Sequence, residues 1–123
     1  MSDAIDRVIA DVNRYSEAGE RLAARLHQHT AWNNEDIERL RSGMSVTDSC
    51  QVTGSADRSR NLTRILAEFE ESRRAIRSST VLVLIEEGMT ISEIGVVFGV
   101  SRQLANRLVR DARATYGAAE ASA

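Results

Sequence analysis

The stretch MTISEIGVVFGVSRQLANRLVRDAR, Met89 to Arg113, decides how this chain folds. Thr90 and Glu93 have the spacing of a capping box, in which hydroxyl and carboxylate each satisfy a backbone N–H left bare at a helix start. A helix is therefore predicted from Ile91. It runs only to about Phe98, because Gly99 suits the left-handed conformation that ends helices. Ser101 then caps another helix, predicted to continue to about Tyr116. Two helices joined by so short a turn cross steeply, and a close crossing needs a small residue, which Gly95 supplies. Ile94, Phe98, Val100 and Leu108 are placed to fill the angle between them, with Leu82 and Ile85 from the preceding helix. Within Ser101 to Arg113 there are four arginines, Arg102, Arg107, Arg110 and Arg113, against one acid, Asp111.

Working outward, the rest of the chain also reads as helix. Proline is absent, glycine occurs 7 times in 123 residues, and no alternating run reads as a strand, so the expectation is all-α. Apolar residues at 42% suffice for one modest core. A first helix is predicted over about Asp3 to His29, where Ile5, Val8, Val12, Tyr15, Gly19, Leu22 and Leu26 step by three and four. That seam suits packing on the rest of the chain or on a second copy. Asn33 or Asn34 caps a short second helix ending at Gly43, with Trp32 at the corner. A polar segment leads into a long helix from about Ala56 to Glu87, with Ser78-Ser79 as a candidate bend or break. The predicted organisation is an N-terminal helical region over 1–55, a connecting helix over 56–77, a three-helix unit over 78–116 and a disordered tail over 117–123.

The net charge of −2 argues against an indiscriminate polyanion binder, but the charge is uneven. From Asp57 onward ten arginines face nine acids; before it, six face nine. Every cation is arginine, whose planar fork donates two parallel hydrogen bonds to phosphate or guanine. Cys50 is the single cysteine, so no internal disulfide forms, and a small, partly buried thiol is expected. The opening MSDAIDRVIA is acidic where a signal peptide is basic, and the longest apolar run, Val81 to Ile85, is too short for a bilayer. A cytoplasmic, nucleoid-associated protein without a membrane segment is expected.

The spacing of Gly95 and Gly99, the apolar Ile94, Phe98 and Val100, and the Gly99-Val100-Ser101 turn resembles the helix-turn-helix signature of bacterial DNA-binding regulators. It is most similar to the three-helix type of sigma-factor region four and homeodomain-like proteins, over about Ser78 to Ala114, under a third of the chain. Ala105 departs from the pattern, which usually has a larger aliphatic residue there; Leu104 is the candidate to compensate. The resemblance implies that the second helix enters the major groove with Arg102, Gln103, Asn106 and Arg107 on base edges. It likewise implies phosphate contacts from Thr90, Ser101, Arg110 and Arg113. Two bland readings stand beside it: arginines solvated on an exposed face, and a two-helix turn in a purely structural bundle.

An echo lies 45 residues upstream, where Gly43-Met44 and Val52 and Gly54 match Gly88-Met89, Val97 and Gly99. The copy is degenerate, with Ser49, Thr53 and Ser55 opposite Ile94, Phe98 and Val100. Chance, a decayed structural copy over 43–66, and a second DNA contact through Arg58 and Arg60 all remain open. No phosphate loop, dinucleotide turn or paired-cysteine motif occurs, and His27 and His29 point to different helix faces, so neither enzyme, cofactor nor metal is expected. The expected function is a sequence-specific DNA-binding regulator of transcription, a repressor or activator acting as a homodimer on double-stranded DNA. Its rivals are an adaptor contacting RNA polymerase or another regulator, and an architectural or recombination-accessory DNA binder of a mobile element.

Overall fold

Between Gly19 and Gly43 there is neither proline nor glycine, and nothing in the backbone stops the first helix at the expected corner. The computed structural model describes residues 3–122, with side-chain surroundings for residues 3–116. In it α1 runs unbroken over Asp3–Arg41. The separate short helix expected after Thr30 is therefore part of α1, and Trp32 lies on its flank rather than at a corner. Asparagine inside a helix costs only about 0.7 kcal/mol relative to alanine, too little to break one that packs along its length. Thr30 even donates its hydroxyl back to the Leu26 carbonyl at 3.2 Å.

Gly43, at φ 101, ends α1. The expected polar segment folds as a further helix, α2 (Val46–Thr53), with Ser45 capping its start through the Asp48 N–H and Gly54 ending it at φ 65. Next, α3 (Ser55–Glu86) passes through Ser78-Ser79 without interruption, the Ser79 hydroxyl bonding back to the Ile76 carbonyl at 3.2 Å. Then come α4 (Ile91–Phe98) and α5 (Arg102–Ser122). The tail expected to fray after Tyr116 is helical to Ser122, in keeping with its alanines; Ala123 lies outside the described residues. The fold is all-α, and among the described residues no helix is long and apolar enough to cross a membrane.

Contacts divide the chain into two compact units, residues 3–15 with 71–122 and residues 16–70. α1 and α3 each contribute residues to both units. In the first unit Val81, Ile94, Ala105, Val109 and Ala112 are fully buried, with Leu82, Ile85, Phe98, Val100 and Leu108 against them. In the second, Ala18 and Ile65 are buried. There the Arg58 guanidinium stacks 4.5 Å above the Trp32 ring and lies 3.3 Å from the Asp36 carboxylate.

The upstream echo has a physical counterpart. Gly43 and Met44 donate to the Leu40 and Arg39 carbonyls, and Gly88 and Met89 donate to Ile85 and Leu84 in the same pattern, at 3.0–3.1 Å. Both following helices have a hydroxyl cap and end on a left-handed glycine. The restart differs. Ser101 delays α5 to Arg102, whereas its counterpart Ala56 has no capping oxygen and α3 begins directly after Gly54. Cys50, expected to be partly buried, is exposed.

Candidate nucleic-acid interface

The strut of this site is α4. Thr90 Oγ1 accepts the Glu93 N–H and Glu93 Oε1 accepts the Thr90 N–H, both at 3.2 Å, so the capping box is complete. At the other end Gly99 adopts φ 65, and the Val100 N–H closes onto the Gly95 carbonyl at 2.9 Å. Gly95 itself is buried at the crossing. A Cβ built there would lie 3.0 Å from the Val100 carbonyl oxygen and 3.6 Å from the Ala105 Cβ. This explains the departure at Ala105: α5 approaches α4 so closely that a methyl fills the space, while Leu104 stays half-exposed on the flank.

Ser101 caps α5, its hydroxyl oxygen accepting the Leu104 N–H at 3.1 Å. Successive residues of a helix turn by about 100°, so burial of Ala105, Val109 and Ala112 on one face puts Gln103, Arg107 and Arg110 on the opposite one. Arg102, Gln103, Arg107, Arg110 and Arg113 are exposed, and Asn106 is half-buried. Arg102, Gln103 and Asn106 line a shallow cleft with Ile91 of α4. Among the described residues no carboxylate forms an ion pair with Arg102, Arg107, Arg110 or Arg113, whereas Arg39, Arg41, Arg58 and Arg60 each have a carboxylate partner. The α5 cations are thus solvated, and their hydrogen-bond donors are available.

Thr90 and Ser101 both sit at helix starts with their oxygens accepting cap bonds. Each hydroxyl proton remains free to be donated outward. Of the residues weighed for a second contact, Arg58 is half-buried against Trp32 and Asp36, and Arg60 is exposed and pairs with Asp57 on the surface.

A polar anchor at the far end of α5 escaped the sequence reading. The Tyr116 hydroxyl donates to Asp11 Oδ2 at 3.1 Å, with the Ala75 carbonyl at 3.4 Å, while the Arg7 guanidinium lies 4.3 Å over the ring. Burial first, then the neighbouring Asp11 charge and hydrogen bond, raise the Tyr116 pKa above its ordinary value of 10.0. Asp11 is itself 5% exposed. The partners lie 105 positions apart, and no local periodicity links them. Also missed were Val96 and Val97 on the outer side of α4, 83% and 56% exposed.

Comparison of the chain with protein-family models, with curated proteins and with solved structures finds no match to any of them.

Proposed function

We propose that this chain is a sequence-specific DNA-binding regulator of transcription, without catalytic activity, that reads double-stranded DNA through α5 in the manner of a three-helix helix-turn-helix protein. One observation carries the reading: α5 buries an alanine-rich face against a short capped strut and turns four arginines with no ion-pair partner among the described residues, together with Gln103, to solvent, with Asn106 half-buried beside them. Arg can grip guanine O6 and N7 together, and Gln or Asn can grip adenine N6 and N7. In this reading Arg102, Gln103, Asn106 and Arg107 contact bases, Thr90, Ser101, Arg110 and Arg113 hold phosphates, and the protein acts in the nucleoid. Half-sites roughly 34 Å apart would let a homodimer bind with useful specificity.

The test is an electrophoretic shift with genomic fragments across a salt series. DNA binding by this face gives sequence preference and a steep loss of affinity as salt rises. A salt-independent or absent shift sinks the reading. The exposed Val96-Val97 pair favours a second reading, in which α4 docks on a protein of the transcription machinery. Under it Val96→Asp abolishes capture of that protein and leaves any DNA affinity unchanged.

A further inference from the structure

The unit formed by residues 16–70 has a polar interior. Three half-buried guanidinium groups, Arg25, Arg39 and Arg58, stand there against one half-buried carboxylate, Asp36. Asp36 is shared by Arg39 and Arg58, while Arg25 Nη1 bonds the neutral Gln28 amide oxygen at 2.9 Å. Cations drawn out of water are costly unless paired, so positive charge is left unbalanced in this interior. Arg25 of α1 and Arg58 of α3 line one cleft of about 390 Å³, together with Trp32, Thr53, Gly54 and Asn61. That volume falls within the range of small-molecule sites, roughly 300–1,000 Å³. Asn61 carries a separate sign of an unfilled site: its Oδ1 is sealed from water and has no hydrogen-bond partner. A buried acceptor left bare is costly, and the soft amide torsion lets a modest turn present either Oδ1 or Nδ2 to the cleft. The cleft also opens at the start of α3. There Gly54 has no capping side chain, and the Ser55 hydroxyl is turned back to the Cys50 carbonyl at 3.4 Å.

We propose that this cleft binds a small phosphate monoester carrying a free hydroxyl, with the phosphate between Arg25 and Arg58 and the hydroxyl on Asn61. Arg58 gives Nη1 to Asp36 at 3.3 Å and keeps its remaining donors. Two guanidinium forks and the uncapped N–H groups of α3 are donors from three sources. The three terminal oxygens of a phosphate can meet them all, whereas the two of a carboxylate cannot. The acid on the rim, Asp57, does not oppose an anion strongly, because its side chain is 85% exposed and paired with Arg60. The donors are recessed, the Arg58 side chain being 16% exposed, which suits a small ester and not a phosphate fixed in a duplex backbone. Every residue of the site belongs to the unit of residues 16–70, so the proposal stands independently of DNA reading by α5.

Trp32 is the single tryptophan and lines the cleft, so its fluorescence reports occupancy. The full chain is titrated with glycerol 2-phosphate at constant ionic strength, above the second phosphate pKa of about 6. A saturable change is expected. Sulfate, an oxyanion with no proton to donate to Asn61, binds about tenfold more weakly, and glycerol does not bind. Arg25→Gln weakens glycerol 2-phosphate by about 10- to 100-fold, and Asn61→Leu lowers it to the sulfate level, both with unchanged helical circular dichroism. Should Asn61→Leu fail to fold, the comparison of sulfate with glycerol 2-phosphate on the parent chain decides. No saturation, an equal response to glycerol, equal affinity for sulfate, or a folded Arg25→Gln chain that binds as before overturns the proposal. A short DNA duplex, the other source of phosphate, leaves the glycerol 2-phosphate curve unchanged; displacement by the duplex assigns the cleft to DNA and overturns it as well. Arg107→Ala weakens DNA binding and leaves that curve as it is, so either reading can fail without the other.

Discussion

Replacing glycine by alanine at two helical positions tests the geometry of the α4–α5 crossing. At an open helical site this change stabilises by about 1 kcal/mol, because glycine carries the larger entropy loss on folding. Gly19 is such a site: the new Cβ would sit 3.7 Å from Cε2 of Phe69, an ordinary contact, so Gly19→Ala is expected to gain about 1 kcal/mol. At Gly95 the same methyl meets the Val100 carbonyl oxygen at 3.0 Å. That oxygen cannot swing away freely. Its residue is tied back to Gly95 through the Val100 N–H at 2.9 Å, and the next residue caps α5. Overpacking of this kind costs roughly 1–3 kcal/mol, which cancels the propensity gain and leaves Gly95→Ala about 1 kcal/mol less stable. The two variants thus differ by roughly 2 kcal/mol in opposite directions, well resolved by urea unfolding monitored at 222 nm. Equal stabilisation by both would show that α4 and α5 do not cross closely, and the argument for Gly95 would fail.

Tyr116→Phe leaves the buried Asp11 carboxylate without this donor and is expected to cost about 1–3 kcal/mol in urea melts. Since the folded state holds the Tyr116 proton more tightly than the unfolded chain, its contribution is complete below pH 10.0 and is lost as pH rises past that value. The wild-type melt should therefore weaken in that alkaline range more than the Phe variant does. Arg58→Ala removes a half-buried cation from Trp32 and Asp36 and should destabilise by about 1–3 kcal/mol, without changing DNA affinity in shift assays. Gln103→Ala or Arg107→Ala should cost about 1–3 kcal/mol at the preferred site and relax base choice there. Arg110→Ala should weaken all sequences alike and reduce the salt slope by about 1, as followed by fluorescence anisotropy.

The parts of the fold legible in the sequence were those written in local chemistry. The Thr90–Glu93 box, the left-handed Gly99 and the Ser101 cap act over three or four residues, and the structure has each of them. The core of the α4–α5 angle followed from the same spacing. Errors arose where the competing terms were small. Asn33 or Asn34 as a cap would contribute only about 1 kcal/mol, and packing along α1 overrides it. α2 was hidden because its helical turn is polar and lacks an apolar face, although Ser45 and Gly54 mark its ends. The Asp11–Tyr116 bond joins opposite ends of the chain and leaves no periodic trace. The exposure of the α5 arginines is a property of the fold, set by which face Ala105, Val109 and Ala112 bury. The composition of that face was readable; its freedom from neighbouring acids was not.

The most direct test of the DNA-reading face is selection of bound duplexes from a random pool by the intact chain, repeated with Arg107→Ala. The wild type should enrich a defined sequence, and the variant should lose preference at one position per half-site while keeping general, salt-sensitive affinity. A pool that stays random, or an enriched motif unchanged by Arg107→Ala, would contradict it.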